Sequence, residues 1–355
     1  MKAKLVSFVI AQATSFAKAT EGKSGFGKRG IREVQTPPIE SAPHYFEATV
    51  PRQFLVGKEK IVVGNREGQI HLKLYKPDIL LAEVHFDLPD VFSDEALDFK
   101  EEAIQACRAL LMKKGAKNVE SLSEEYSVAV VSGYEGEPEQ FFGHQEKIAS
   151  FLKSEKLALD LPEIEYTLRF QLKYAKNDLV IVDWDGAFIF DTEGDFESSL
   201  ELFELANLQL LQYRMLDAQL DKRLHHISTL LEQAPKESRS LFRAKDVDQV
   251  IKETMLVRSQ SLSEFHTLDR DIKLIGDWYS ARLYDLVAKK FKLDIWHDEI
   301  REKIDAVEKI YSVASENFTM SWERRGRILE MAGWYVLLFG WLILLVLDFY
   351  FYKWQ

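Results

Sequence analysis

The sequence predicts an α+β protein in which helices cover an antiparallel sheet, followed by a long helical hairpin or coiled-coil stalk and one C-terminal transmembrane helix. Three observations lead to this class. Strand-like and helical segments alternate up to residue 191, long stretches with a heptad apolar repeat follow, and the chain closes on an apolar run. We therefore divide it into an extension (1–43), an α+β domain (44–194), a helical stalk (195–330) and a transmembrane helix (331–352).

Composition sets the broad class. Of 355 residues, 46% are hydrophobic and 29% are charged, as in a globular protein. The net charge of −11 argues against a nucleic-acid partner, because phosphate binding depends largely on Lys and Arg. A single cysteine, Cys107, excludes an intrachain disulfide and fits a reducing compartment. Its place on a predicted helix indicates core packing rather than reactivity.

The extension differs from the rest of the chain. It has a basic start, a short apolar run and a glycine-rich basic segment, which indicate disorder or a targeting peptide. Residues 17–24 resemble a phosphate-binding loop with alanine in the first position. Glycines and Pro37-Pro38 follow, so the helix that such a loop needs is absent and we interpret the match as chance.

Short strands and two helices are predicted in the α+β domain. The first helix begins at the Ser93 cap and ends at Gly115, and the second begins at Pro138. The predicted strands are 45–50, 61–63, 70–75, 79–86 and 126–132.

The strongest strand pattern covers residues 164–174, where apolar and polar residues alternate throughout. Residues 179–184 and 187–191 follow as two more strands. Asp185-Gly186 between them is a strong signal for a hairpin with a type I′ turn.

Three long amphipathic helices are predicted after the sheet. The first covers about 195–233, the second begins near Ser261, and the third runs unbroken from Ile295 into the apolar run. Their heptad stripes predict helix-on-helix seams, with a polar linker at 235–260.

From Met331 to Leu347 the chain carries no charged residue, which is the length a helix needs to cross ~30 Å of hydrocarbon. A helix satisfies its backbone hydrogen bonds internally, so it is the expected form of an isolated span. Aromatic residues placed to anchor it in the membrane are Trp334, Tyr335, Trp341, Tyr350, Tyr352 and Trp354.

Positive charge predicts the orientation of the span. Arg324, Arg325 and Arg327 precede it, whereas only Lys353 follows. Because excess Lys and Arg mark the cytoplasmic side, we expect the N-terminal bulk in the cytoplasm at a bacterial inner membrane, or in the matrix at a mitochondrial inner membrane. The same arginines suit anionic lipid headgroups.

Three glycines recur every seven residues at the end of the chain. Gly326, Gly333 and Gly340 therefore line one side of the last helix. Small residues on one face allow a second helix to approach closely in lipid, which favours a homo-oligomer.

The stretch Asp183-Trp184-Asp185-Gly186, after Leu179-Val180-Ile181-Val182, resembles the first motif of the haloacid-dehalogenase-like phosphatases. That resemblance implies an Mg²⁺-dependent phosphohydrolase with Asp183 as nucleophile and Asp185 as acid/base. Ala187 departs from the motif and the later motifs are missing. A parallel strand ending at Asp183 would favour the enzyme, and an Asp185-Gly186 hairpin would favour a non-enzymatic turn.

Other polar residues do not form a recognisable metal site in the sequence. The carboxylates between Asp183 and Asp195 are too widely spaced for one calcium loop. The eight histidines do not cluster, and neither His225-His226 nor the pair Asp294 and His297 completes a ligand set. We therefore expect no metal and no cofactor.

Residues 179–191, 205–211 and 213–224, with the closing long helix, the Arg327-Ile328-Leu329-Glu330 juncture and one terminal span, resemble the required-for-meiotic-nuclear-division family. The resemblance covers about residues 160–355. It implies a membrane-anchored oligomer, and it brings no catalytic residues. Mitochondrial members of that family support organellar translation.

These observations predict a membrane-anchored, self-associating scaffold or tethering protein rather than an enzyme, since no complete catalytic motif is present. The expected partners are membrane lipid, further copies of the chain and an unidentified cytosolic protein. The alternative is the membrane-tethered phosphohydrolase with Asp183 and Asp185.

Overall fold

The computed structural model describes residues 1–13, 32–33, 53–75, 78–233, 255–256, 259, 263 and 278–352. The chain forms two compact units. The first unit is Met1–Ala218 with Glu264–Ile300, and the second unit is Gln219–Ser263 with Arg301–Gln355. The division falls inside two long helices rather than at residue 194, because the first turns of the expected stalk pack on the sheet.

A mixed sheet of ten strands forms the centre of the first unit. The strand order is β2-β3-β4-β5-β1-β7-β10-β9-β8, with β6 paired to β1. Only β7 and β10 pair in parallel among the described strands, and the other pairings are antiparallel as expected. The strands are β1 Lys2–Ala13, β2 Arg32–Glu33, β3 Gln53–Val63, β4 Arg66–Tyr75, β5 Ile79–Leu88, β6 Ala116–Lys117, β7 Ser123–Ser132, β8 Gln171–Leu172, β9 Asp178–Val182 and β10 Gly186–Asp191.

The prediction of a disordered or targeting extension is wrong for residues 1–13 and for 32–33. Strand β1 lies in the middle of the sheet between β5 and β7, and residues 5–11 are buried. A strand that is covered on both faces has a continuous apolar sequence without alternation. The apolar region of a signal peptide has the same pattern, so the sequence does not distinguish the two. The rest of the extension, including the loop-like residues 17–24, lies outside the described residues.

Helices α1 (Asp94–Lys113) and α2 (Gln145–Lys153), with a 3₁₀ helix at Pro138–His144, cover one face of the sheet. Buried residues of both helices, such as Cys107 and Ile148, join the same apolar core as Val9 and Phe188. The predicted start of α1 after Ser93 and its end before Gly115 are confirmed. So are the strands predicted at 61–63, 70–75, 79–86 and 126–132, whereas 45–50 lies outside the described residues.

The prediction of a long strand at 164–174 is wrong. Helix α3 occupies Leu161–Leu168 and only Gln171–Leu172 form a strand. The Asp160 side chain accepts a hydrogen bond from the Leu161 amide, and Pro162 lies in the first turn. These helix-start signals, with Ile164 and Thr167 buried three residues apart, outweigh the alternation.

The hairpin predicted after Leu179 is confirmed, because β9 and β10 pair antiparallel from Val182 and Ala187 onwards. Its turn differs from the expected one. The Asp183 amide donates to the Gly186 carbonyl at 2.8 Å, so Trp184 and Asp185 are the central residues, and neither has a positive φ. A type I′ turn would require positive φ at both positions.

Helices α4 (Glu197–Gln233), α5 (Trp278–Lys290) and α6 (Leu293–Tyr352) complete the described fold. The predicted first helix is confirmed, and the third runs without a break into the apolar run. Most of residues 261–277 lie outside the described part of the chain. The long helices are present, and a coiled-coil stalk remains a prediction.

The second face of the sheet is covered by α4 and by the segment around α5. Within the first unit, the buried ring of Tyr126 packs against Phe203 at 5.5 Å and Phe291 at 5.7 Å between centroids. The first unit is therefore a three-layer arrangement of helices, sheet and helices. Within the second unit, Lys303 Nζ lies 2.6 Å from Asp221 Oδ1, and Leu220, Ile304 and Val307 are buried.

Candidate functional site

The end of α6 carries the candidate membrane span. Residues Glu330–Leu347 have a mean hydropathy of 1.9, and none of this 18-residue stretch is buried. Among the described residues it is the one helix whose length and composition suit a membrane crossing. The aromatic residues Trp334, Tyr335 and Trp341 are all more than 60% exposed.

The structure places the other membrane-related residues only in part. A Cβ on Gly333 or Gly340 would meet no atom within 4 Å, so the glycine face is open. Nothing is described of the surroundings of Gly326 or of the side chains of five further residues, Arg324, Arg325, Arg327, Tyr350 and Tyr352, and Trp354 lies outside the described residues.

A second candidate site lies in the first unit, on the sheet face that α4 covers. His71, Lys73 and Tyr75 occupy alternate positions of β4 and therefore project to one side. Glu83 on β5 is the direct cross-strand partner of His71, and His85 follows two residues later on the same side. We call His71, Glu83 and His85 the histidine–glutamate cluster.

The members of this cluster are close together. His71 Nδ1 lies 3.4 Å from Glu83 Oε1, and His85 Nε2 contacts the same oxygen. The potential ligand atoms of all three residues lie within 4.8 Å of one another. Glu83 is 2% exposed, whereas the two imidazoles are 15% and 17% exposed, so the cluster borders solvent on its histidine side.

Helix α4 contributes a second buried carboxyl group beside the cluster. Lys73 Nζ lies 2.8 Å from Glu204 Oε1 and 2.5 Å from Glu83 Oε2, so it bridges the two glutamates. The Tyr75 hydroxyl donates to Glu204 Oε2 at 2.7 Å. Glu204 is fully buried because α4 packs directly on this face.

Burial controls the protonation of the two glutamates. Burial raises the pKa of Glu204 well above its usual range, and the attraction of Lys73 only partly offsets it. Burial also opposes ionisation of Glu83, but hydrogen bonds from Glu204, His71 and His85 and the charge of Lys73 hold its pKa well below the usual range. Glu83 is therefore the anion of the pair and Glu204 carries the proton near neutral pH.

The prediction that the histidines do not cluster is wrong. Sequence spacing does not reveal a cross-strand neighbour, and His71 and His85 meet only because β4 and β5 pair in this register. A signal was present: polar residues at alternate positions of two otherwise apolar strands mark an inward-facing polar patch. By contrast, Asp294 and His297 do not join this patch. His225 belongs to the second unit, and the side chain of His226 lies outside the described atoms.

The phosphatase-like motif forms a different local structure. Asp183 is 3% exposed and its Oδ1 lies 2.9 Å from Lys290 Nζ, while Lys153 Nζ lies 3.9 Å from Oδ2. Strand β9, which precedes Asp183, is antiparallel to both of its neighbours. Asp183 thus lies in a hairpin and pairs with lysines, and the parallel strand that favours the enzyme is absent at this position.

A surface pocket of about 430 Å³ opens beside this hairpin. Aromatic rings and lysines line it, and Lys290 Nζ lies 3.9 Å from the Phe170 ring centroid. The lining residues are Tyr166, Phe170, Asp183, Trp184, Lys289, Lys290 and Lys292. Burial raises the pKa of the neighbouring Asp185.

Fold and terminal helix together define an α+β protein with one candidate membrane-spanning helix. Residues 22–197 match the family model described as "Uncharacterized protein MJ0711, N-terminal domain". The chain is also similar to the Uncharacterized protein MJ0711 of Methanocaldococcus jannaschii, with 27% identity over 287 residues that cover 80% of this chain and 83% of that protein. No solved structure matches the chain significantly.

Proposed function

We propose that the protein is a single-pass membrane protein that holds its first unit on the Arg-rich side of the membrane and acts there as a scaffold. The observation that carries this proposal is the unburied apolar surface of Glu330–Leu347. A contiguous apolar surface of this length promotes aggregation in water. In lipid the same surface contacts hydrocarbon, and the helix satisfies its own backbone hydrogen bonds. The lysine and arginine asymmetry supplies the orientation.

Cysteine labelling tests the topology, because the native cysteine gives little background. Cys107 is fully buried, and burial raises the pKa of its thiol far above the usual range. Two variants place one added thiol on each side of the span. Leu157→Cys lies in the first unit, where Leu157 is 73% exposed, and Lys353→Cys follows the span.

The labelling reagent is a membrane-impermeant maleimide, added to intact bacteria that express the full chain. We expect Lys353→Cys to react in intact cells and Leu157→Cys to react only after the cells are opened. The wild-type chain, tested in parallel, measures the background of Cys107. Labelling of Leu157→Cys in intact cells would show the opposite orientation. Recovery of the chain in the soluble fraction would contradict the membrane anchor.

Self-association through the last helix is the second part of the proposal. Gly333 and Gly340 are seven residues apart and therefore share a helix face, with open space above both. Such a face allows a second helix to pack closely in lipid. It supports the homo-oligomer expected from the sequence and agrees with the resemblance to the required-for-meiotic-nuclear-division family.

Light scattering on detergent-solubilised protein tests the assembly. We expect the wild type to be larger than a monomer and Gly333→Leu/Gly340→Leu to dissociate, because leucine keeps the helices apart. Leu338→Phe/Leu345→Phe, which changes exposed positions on the opposite side of the helix from the glycines, is the matched control. A strictly monomeric wild type at high concentration would contradict the assembly while leaving the anchor intact.

A cytosolic protein partner remains part of the proposed scaffold role. Pull-down from solubilised membranes with the full chain as bait identifies candidates, and the orientation variants show whether the bait faces the right compartment. The phosphohydrolase with Asp183 and Asp185 stays the alternative, and the scaffold is preferred because Asp183 follows an antiparallel hairpin strand rather than a parallel one.

A further inference from the structure

We infer that His71, Glu83 and His85 bind a divalent first-row transition metal of the Zn²⁺ class on the α4-covered face of the sheet. This inference concerns the first unit alone and does not depend on the membrane anchor. Two imidazole nitrogens and one carboxylate oxygen are a ligand set that suits Zn²⁺ and Fe²⁺, whereas Mg²⁺ and Ca²⁺ prefer oxygen alone.

One of the separations fits such an ion as it stands, and the other needs a rotation of the His85 ring. With metal–ligand bonds of about 2.0–2.1 Å, two ligands of a tetrahedral site lie roughly 3.4 Å apart. His71 Nδ1 and Glu83 Oε1 have this separation, 3.4 Å. His85 Nε2 now contacts the same oxygen, and rotation of its partly exposed ring away from Glu83 opens the position between the three atoms.

Neighbouring residues orient the ligands. His71 Nε2 lies 3.2 Å from Gln69 Oε1, so Gln69 accepts the ring proton in the tautomer that frees Nδ1 to bind a metal, and metal binding displaces the proton that Nδ1 otherwise shares with Glu83. Lys73 holds the other oxygen of Glu83 at 2.5 Å, which leaves Oε1 for a single metal bond. Outer partners of this kind fix the ring orientation and basicity of ligands in known metal sites.

Three protein ligands leave one coordination position open. The partial exposure of both imidazoles gives that position access to solvent. Structural zinc sites use four protein ligands, whereas sites with three protein ligands keep a place for water or a small ligand. The site is therefore of the open type, able to take up an exchangeable small molecule.

The competing interpretation is an ion-pair network that needs no metal. A protonated histidine beside Glu83 would account for the same contacts. The two interpretations differ in whether a stoichiometric ion stays bound through His71 and His85, and this is what the experiment measures.

The test uses the untagged full chain in detergent, stripped with a chelator, incubated with Zn²⁺ and passed through a desalting column. Elemental analysis then gives the bound metal. We expect about one Zn²⁺ per wild-type chain and per His297→Gln chain. His71→Gln and His85→Gln should retain much less, because loss of a ligand lowers the affinity for Zn²⁺ at least about tenfold. His297 lies outside the cluster and is the matched histidine control.

Co²⁺ provides a spectroscopic check. In the wild type we expect the visible absorption of a four- or five-coordinate Co²⁺ ion, and its displacement by Zn²⁺. The bound ion should also raise the thermal midpoint of the wild type but not that of His85→Gln.

Gln69→Leu keeps the test valid if a ligand variant fails to fold. Gln69 is exposed, so the substitution should leave folding intact, and loss of its hydrogen bond should weaken Zn²⁺ binding about tenfold. A wild type that retains no Zn²⁺ or Co²⁺, or cluster variants that retain as much as His297→Gln, would overturn the inference.

Discussion

Lys73 is the residue on which the buried polar network depends, because it is the shared cation between Glu83 and Glu204. We predict that Lys73→Met lowers the free energy of unfolding by about 3–5 kcal/mol, the range for removing one partner of a buried ion pair. Chemical denaturation of the detergent-solubilised chain measures the loss.

Two comparisons make this prediction specific. Lys114→Met removes a lysine whose partner Glu59 is half exposed, and its effect should stay within about 1 kcal/mol. Adding Glu83→Gln to Lys73→Met should restore part of the loss, since the buried carboxylate that lacks its cation is then removed. Equal effects of Lys73→Met and Lys114→Met would contradict the shared-cation interpretation.

Glu124 gives a prediction about pH. Burial raises its pKa from 4.5 to about 7, and the nearby Arg214 only partly opposes this. Between about pH 4.5 and pH 7 the folded state binds more protons than the unfolded chain, so the free energy of unfolding falls as pH rises. The contribution is fully present below about pH 4.5 and is lost as pH rises through about 7, by up to roughly 3 kcal/mol.

The variant Glu124→Gln should remove this slope. Relative to wild type, its free energy of unfolding should be little changed near pH 4.5 and higher at pH 8. Glu125→Gln, with a carboxylate that is 39% exposed, controls for the loss of one negative charge next to the same position. A constant difference between Glu124→Gln and wild type across this range would refute the assignment.

At the scale of elements, the hairpin of β9 and β10 shows why one glycine is required. Gly186 lies beside β7, and a Cβ there would come within 2.7 Å of the Ser127 carbonyl oxygen. We predict that Gly186→Ala lowers the free energy of unfolding by about 1–3 kcal/mol through this overlap with backbone.

Gly143→Ala is the matched control for that substitution. A Cβ at Gly143 meets nothing within 4 Å, and its φ is not positive. Thermal unfolding of both variants checks the prediction, and a Gly186→Ala protein as stable as Gly143→Ala would show that β7 yields to the added methyl group.

The elements also show where sequence patterns succeed. Helix α1 is predicted at both ends because its signals are local: Ser93 precedes the first turn and Gly115, with φ of 87°, follows the last. The strand predicted from the alternation over 164–174 is wrong because Asp160 and Pro162 start a helix there. These helix-start signals play no part in a search for alternating apolar residues. Strand β1 is missed because burial on both faces removes the alternation.

At the scale of the whole molecule, the proposed membrane location depends on the apolar end of α6. We predict that Leu338→Arg/Leu342→Arg moves the protein from the membrane to the soluble fraction, because each arginine near the centre of a span costs about 2.5–3.5 kcal/mol of insertion. Leu157→Arg, on the exposed surface of the first unit, should stay in the membrane fraction. Fractionation followed by immunoblotting measures both, and a membrane-bound double variant would argue against a spanning helix.

The sequence alone determined the features that depend on local order along the chain. These are the strands β4, β5 and β7, the ends of α1, the hairpin after Leu179, the continuous helix α6 and its apolar run of membrane length. Each follows from residues that are neighbours in sequence, through periodicity, capping or hydropathy.

Only the tertiary structure decided what depends on contacts between distant residues. The central place of β1, the pairing of His71 with Glu83 and His85, and the burial of Glu204 under α4 arise from strand register and helix packing. Side chains that meet across a sheet are separated in sequence by any number of residues, so a linear pattern does not encode their distance.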